Sequence, residues 1–518
     1  KIQLTEAEYS AELNKARDQT LHGIVVNTDN IASDDAVRAT VNRDVVSYLH
    51  AEGAGSNINI GADANIQLVG SDATVVNLEN GAKLTNNGTL GTAGNTFRGA
   101  YVVAARSTSF VENNGVIDAG TNPEMADFFQ GGAAGVANGT HTAILANGAS
   151  VVNNNNTGVI NVAARGNYYG NTGVLLGSSA TLNNYGAINI AASNEASSIL
   201  GDGSNIGVVT QQNTTFNNEG TLYIGRMAQR TPSDSTDDLA IKQSSIGVHL
   251  YGNGTYNGKT NSEIIIGSKV QNATAIDVGG SATLNQQGTI QLNGAVSGES
   301  VSSNTGILVR EGTNANKVIN SGTIDMNGLN STGIKVLANG QITNSGTINV
   351  NGGLDPVTHY ANYGIYAQGE KALAILSGKV NLTGDGAIGV HARDKGEIDV
   401  TQNGVVTFNG GTNQTGYYIF GAGSKIKNDA SSVQDVSTQD STLYRVDGGA
   451  SFDGSGNSAA QLNASGDNAT IIRTTGAGSQ FSSGKLALSV TGEGATGIRI
   501  EGGATGEITA DAVIVKVA

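Results

Sequence analysis

The chain is written in short strands whose apolar residues alternate with polar ones, and three kinds of strand return in the same order. One reads Thr-Gly-Ile-x-Val or close to it, as in TGVLL from Thr172, TGILV from Thr305, TGIKV from Thr332 and TGIRI from Thr496. Another reads QITN from Gln341 or ATLN from Ala282. The last follows an Asn-rich turn, as in NNYGAINI from Asn183, NNEGTLYI from Asn217, NQQGTIQL from Asn285, NSGTIDM from Asn320 and NSGTINV from Asn344. Alternation with period two predicts strands with one buried face, so Ile334, Val336, Ile324 and Met326 point inward and Lys335, Thr323 and Asp325 outward. A short repeat of strands and turns predicts a solenoid. With three strands and three corners per repeat, the expected fold is all-β: a triangular, right-handed parallel β-helix with three strands per rung.

Aligning the second residue of the TGI strand gives fifteen rungs, among them Thr74, Ala100, Ala387 and, spaced evenly by 27, Gly416, Leu443, Thr470 and Gly497. Longer steps in the first half place insertions after the GTI strand, at 119–141, 163–171, 191–205, 225–245, 293–304 and 351–362. All leave from one corner, and loops on a rigid scaffold are where function concentrates. The Asn before GTI repeats at a single corner, where side-chain amides can bond from rung to rung and Asn or Gly can take left-handed turn geometry. Residues 1–56 are expected to form a segment with a short helix after Thr5, marked by the capping pair Thr5 and Glu8, that caps the solenoid of residues 57–518. The apolar strand AVIVKVA at the other end shows no cap, and the natural polypeptide is expected to continue.

Composition narrows the function. The 518 residues include 74 Gly, no Trp and no Cys, so many small strands must replace one bulky core, and disulfides are excluded. A formal net charge of -15 opposes binding to nucleic acid or to an anionic membrane surface. No apolar run is long enough to span a bilayer as a helix, and no signal peptide stands at Lys1. Catalytic patterns are missing as well: there is no Cys nucleophile, no Gly-x-Ser-x-Gly elbow and no His pair spaced as HxxxH. The acids Asp234, Asp237 and Asp238 read as a solubilising run, so no cofactor, metal ligand set or enzyme activity is expected.

Two surfaces remain as binding candidates. The outward positions of the GTI strands run Asp118, Asn161, Asn189, Tyr223, Gln291, Asp325 and Asn349, a strip of amides and carboxylates lined by Thr. The insertions add aromatic residues, notably Phe128, Tyr168 and Tyr360. On the TGI strands the outward positions include His249, Asp277, Leu308, Lys335, Tyr366, Gly389, Tyr418 and Arg445, with Arg310 at a strand end; Lys335 and Arg310 are the local cations for an acidic ligand.

These repeats, with their Asn-Gly-Thr-Ile turns and lack of cysteine, resemble the passenger domains of Gram-negative autotransporters of the adhesin and self-associating type. The resemblance covers Asn57 to the end of the chain. It implies export through the periplasm and outer membrane to the cell surface or beyond, with the passenger itself not inserted in the membrane. It also implies adhesion to host matrix glycans such as glycosaminoglycans or to matrix proteins such as fibronectin. The alternative it leaves open is self-association of copies on neighbouring cells, giving aggregation and biofilm; a polysaccharide-active β-helix enzyme is a more remote one. The trypsin-like GDSG segment of protease passengers and an RGD tripeptide are both absent.

Overall fold

Alternating Ile/Val/Leu and Thr/Asn residues give strands of three to seven residues, and each pairs in parallel with the strand of the same kind one turn later. A computed structural model describes residues 2–4, 24–27, 47–69, 74–93, 101–122, 141–163, 171–192, 205–226, 238–242, 244–294, 304–429, 433–454, 461–483, 486–508 and 513–517. Among them there is no helix; the fold is a right-handed parallel β-helix. The chain falls into two units, Lys1–Ile276 and Asp277–Ala518. Each repeats the same turn: a first face of TGI strands, a second of QITN strands and a third of GTI strands.

One turn of the second unit shows the build. Ser331–Val336 buries Ile334 and Val336, Gln341–Asn344 buries Ile342, and Thr347–Val350 buries Ile348 and Val350. Lys335, Thr343 and Asn349 alternate outward, half-buried. Stacking identical positions buries aliphatic columns completely, which contributes about 2 kcal/mol per side chain removed from water. Ile324, Met326, Ile334 and Val336 point inward as the alternation requires.

The glycine of the Asn-x-Gly-Thr corner is there for a different reason from the one expected. Gly115 and Gly346 do not have positive φ; a Cβ on them would lie 2.1 Å and 2.0 Å from the carbonyl oxygen of the equivalent glycine one turn earlier. The rungs approach too closely for any side chain. Left-handed residues sit instead between the first and second faces, as at Asn80 (φ 55°) and Asn339 (φ 61°).

Buried amide columns tie the rungs together. In the first unit Asn86, Asn113, Asn154 and Asn184 each donate Nδ2 to the Oδ1 of the next, ending on Asn218, at 2.9, 2.8, 2.8 and 2.9 Å. Asn218 then donates to the Tyr256 hydroxyl at 3.2 Å. In the second unit Asn320 donates to Asn344 at 2.7 Å, and Asn428 donates to the Tyr444 hydroxyl. Other residues interrupt the column, such as Gly258 and Leu376, and at one rung an amide is present but misfits: Gln286 pairs with Asn320 in register but is one methylene too long, and its amide atoms, with Asn320 Oδ1, are buried without partners. Gln286→Asn should restore the Nδ2 to Asn320 Oδ1 bond and raise stability by about 1 kcal/mol. A urea midpoint unchanged or lowered, with the same m-value, would count against this account.

The register corrects four rung alignments. Thr74 pairs with Tyr101, Tyr363 with Ile388 and Thr442 with Thr470, so the second strand positions are Val75, Val102, Gly389 and Ile471 rather than Thr74, Ala100, Ala387 and Thr470. The even spacing of 27 therefore does not hold at the last turns, where Leu443, Ile471 and Gly497 stand 28 and 26 apart. Parallel pairing is also present before residue 57: Ile2–Leu4 pairs with Ile24–Asn27, which pairs with Asn65–Val69, and Ser47–Glu52 pairs with Thr74–Glu79. The helix expected after Thr5 lies outside the described residues.

Candidate functional site

The third face does not present the strip expected of it in the first unit. Asp118, Asn161, Asn189 and Tyr223 stack in register but are 3, 0, 1 and 5% exposed. Residues that follow the strands cover them. Thr121 donates its amide N–H to Asp118 Oδ2 at 3.2 Å and its hydroxyl to Oδ1. Arg226 Nε donates to Asn189 Oδ1 at 2.8 Å, its guanidinium lies 4.7 Å over the Tyr223 ring, and the Tyr223 hydroxyl donates to Asp238. Asn189 Nδ2 donates to Asn161 Oδ1 at 2.9 Å. Burial pushes the Asp118 carboxyl up to about 7, against the opposing pull of its bonds to Thr121 and of the neighbouring Asn161 amide. These four residues are an internal polar layer and cannot touch a partner. A signal was present in the sequence: AINIAA from Ala187 and EIII from Glu263 lose the polar alternation, as strands buried on both faces do.

In the second unit the same face is half-open. Gln291, Asp325 and Asn349 are partly exposed, and Thr407, Asn381 and Asn349 donate in sequence toward Asp325, the last bond being 2.7 Å. Among the loop aromatics, Phe128 and Tyr168 lie outside the described residues, as do 123–140, 164–170, 193–204, 227–237 and 295–303. Tyr360 is 50% exposed, on a turn held by Asp355, whose carboxylate accepts from Val357 N at 2.8 Å and Asn330 Nδ2 at 2.9 Å.

The richer surface is the first face of the second unit. Lys335, Tyr366, His391, Tyr418, Arg445, Arg473 and Arg499 occupy the same outward position on seven successive rungs, about 4.8 Å apart. The rings form a stack: His391 lies 4.4 Å from Tyr418 at 15° and 4.9 Å from Tyr366 at 65°, and Tyr363 lies 5.4 Å from His391 at 29°. Cations close the stack at both ends, Lys335 Nζ 5.6 Å over Tyr366 and the Arg445 guanidinium 4.7 Å over Tyr418. Arg393 lies 5.0 Å over Phe420 beside it.

This geometry limits the chemistry. His391 is 1% exposed and its Nδ1–H donates to the Tyr418 carbonyl at 2.9 Å. Burial lowers its pKa to about 4 despite that bond, with Arg393 and Arg445 adding to the fall. It is a neutral spacer in the stack, out of a substrate's reach. Tyr366 and Tyr418 have raised pKa values, first through desolvation, so their hydroxyls stay protonated donors. Because the ring faces are covered by neighbours, the column offers hydroxyls and guanidinium edges rather than a flat ring on which a sugar could lie. The cations are partly matched: Arg445 pairs with Asp447 at 2.7 Å, while Arg473 and Arg499 share Glu501 at 3.3 and 2.6 Å. Arg310, the other expected cation, is bound to buried Asp277 at 2.9 Å.

Sequence reasoning placed Lys335, Tyr366, Tyr418 and Arg445 on this face and missed His391, Arg473 and Arg499. The cause for His391 was the alignment on Ala387; aligning Gly389 with Gly364 puts it in the column.

No family profile matches the chain, and no curated protein does. Among solved structures, it is similar to a hyper-glycosylated TibA fragment, modified by TibC, at 11% identity and a TM-score of 0.23 over 90% of this chain and 99% of that one. It is also similar to the PL6 family alginate lyase AlyGC, at 8% identity and a TM-score of 0.15 over 100% of this chain and 99% of that one. Neither likeness carries an argument about function.

Proposed function

We propose that this chain is an adhesive domain displayed outside the cell, which holds linear acidic glycans of the host matrix along the first face of its second unit. The column of Lys335, Tyr366, Tyr418, Arg445, Arg473 and Arg499 is the observation that carries this reading. Repeated cations and hydroxyl donors suit a polymer with repeated anionic groups, and each weak contact is multiplied when many copies are displayed on one surface. The overall charge of -15 opposes such a ligand at long range, so attachment depends on this local strip. The lack of cysteine suits export, and the reading is non-enzymatic, since the histidine in the column is sealed by its neighbours. Contacts through Gln291, Asp325, Asn349 and Tyr360 to matrix proteins, or to further copies of this chain, are the competing route.

Retention on immobilised heparin and on uncharged dextran, across a salt series, tests the proposal. The wild type should bind heparin alone and elute as salt rises, and the combined Arg445→Gln, Arg473→Gln and Arg499→Gln variant should lose at least tenfold in retention. Equal retention on both polymers, or a triple variant that binds as wild type does, sinks it. Sedimentation velocity over a concentration series separates the competing route, because self-association appears there without any glycan.

A further inference from the structure

We propose that His50, Glu52 and Glu79 form a solvent-open site for one divalent transition-metal cation, for which zinc is the best match. The site lies on the first face of the first unit, far in sequence from the cationic column. Ser47–Glu52 and Thr74–Glu79 pair in register, so Glu52 stands directly beside Glu79 and His50 beside Asn77. Two carboxylates opposite each other on paired strands repel. One ligand atom from each of the two acids and from His50 all lie within 4.8 Å of one another. His50 and Glu52 side chains are 44 and 59% exposed, so they can close the remaining distance to bond lengths of about 2.0 to 2.2 Å by rotation alone.

The surroundings already orient the ligands. Asn80 Nδ2 donates to Glu52 Oε1 at 3.0 Å and Asn77 Nδ2 to Glu79 Oε1 at 3.2 Å, which leaves the second oxygen of each carboxylate for a cation. Asn77 Nδ2 is 3.1 Å from His50 Nδ1, so Nδ1 accepts and the ring proton sits on Nε2, which lies 3.8 Å from Glu52 Oε2. A cation at Nε2 moves that proton to Nδ1 with no net release, and the Asn77 amide then turns its oxygen toward it. That turn gives up both the bond Asn77 Nδ2 donates to Glu79 Oε1 and the bond Arg106 donates to Asn77 Oδ1, which limits the affinity and frees Glu79 to swing onto the cation. The donor set chooses the metal: an imidazole with two carboxylates suits zinc, whereas calcium and magnesium take oxygen ligands. Three protein ligands leave a position for water.

Titration calorimetry of the full chain with zinc, together with the absorption spectrum of the cobalt form, tests the site. One zinc per chain is expected, undisturbed by excess calcium, with the intense visible cobalt bands of a site with fewer than six ligands. His50→Gln should abolish the site and Glu79→Gln should weaken it at least tenfold, both with unchanged far-UV circular dichroism. Absence of zinc binding at micromolar concentration overturns the proposal. So does binding of wild-type strength in both variants, which would assign it to other histidines of the chain.

Discussion

Ile324→Asp should destabilise the second unit by at least about 4 kcal/mol, whereas Asp325→Asn, one residue along the same strand, should change stability by less than about 0.5 kcal/mol. Ile324 is 0% exposed and stacks between Ile290 and Ile348 on the neighbouring rungs. A carboxylate there loses the aliphatic contacts above and below and has no donor within the column, so it must be buried either charged or as an unpaired acid. Asp325 faces outward and accepts from Asn349 Nδ2. An asparagine keeps that acceptor oxygen. Urea denaturation followed by circular dichroism measures both, and equal losses for the pair would mean that the inward and outward assignment of this strand is wrong.

The second large effect is a pH dependence centred on Asp118. Its folded carboxyl titrates near 7 against an ordinary value of 3.8, so the folded state holds a proton that the unfolded state has released. Stability from this group is then complete below about pH 4 and falls as pH rises through about 7, by roughly 4 kcal/mol at one pKa unit per 1.36 kcal/mol. His391 works in the other direction. Its folded value near 4 lies below the ordinary 6.5, so its contribution is complete above about pH 6.5 and is lost as pH falls through about 4. The two slopes oppose each other over one window, which makes the raw stability curve a poor witness. The informative quantity is the difference between wild type and Asp118→Asn, which mimics the protonated acid. The variant should match the wild type near pH 4 and exceed it by a few kcal/mol at pH 8. A difference that stays constant with pH would remove the buried-acid account.

The fold was legible because its grammar is local. Ile324 with Met326, or Ile334 with Val336, declare their side by alternation alone, and the repeated Asn declares its column. What alternation could not show is whether the outward side meets water. Asp118, Asn161, Asn189 and Tyr223 have the residue types of an open strip, yet they are buried, with Thr121, Arg226 and Asp238 packed against them, and that cover is a tertiary fact. Only the runs at Ala187 and Glu263, where apolar residues occupy both sides, betrayed it. The aromatic column lost one member for a different reason. Its members are 25 to 31 residues apart, so an error of two positions at one rung removed His391 from it. The corner of the Asn-x-Gly-Thr turn was expected to offer left-handed geometry to Asn or Gly, whereas its glycine answers to the close approach of two backbones, which leaves no mark in a single rung.

The amide columns have a sense of direction. Inside the first unit the buried amides donate toward the C-terminal rung, whereas on the outside Asn257, Asn217, Asn183 and Asn153 donate toward the N-terminal one and finish on Glu112. The outer column of the second unit likewise finishes on Asp325. A carboxylate accepts and cannot donate, so it fits the receiving end of such a chain and no interior place. An interior rung, by contrast, accepts from one side and gives to the other, and any neighbour that does the same can replace it. Gene duplication or loss of whole interior turns therefore leaves the amides of these columns satisfied, while the rungs of Glu112 and Asp325 must stay where they are. A coil built this way can change length over evolution by whole turns, growing or shrinking from within between fixed ends.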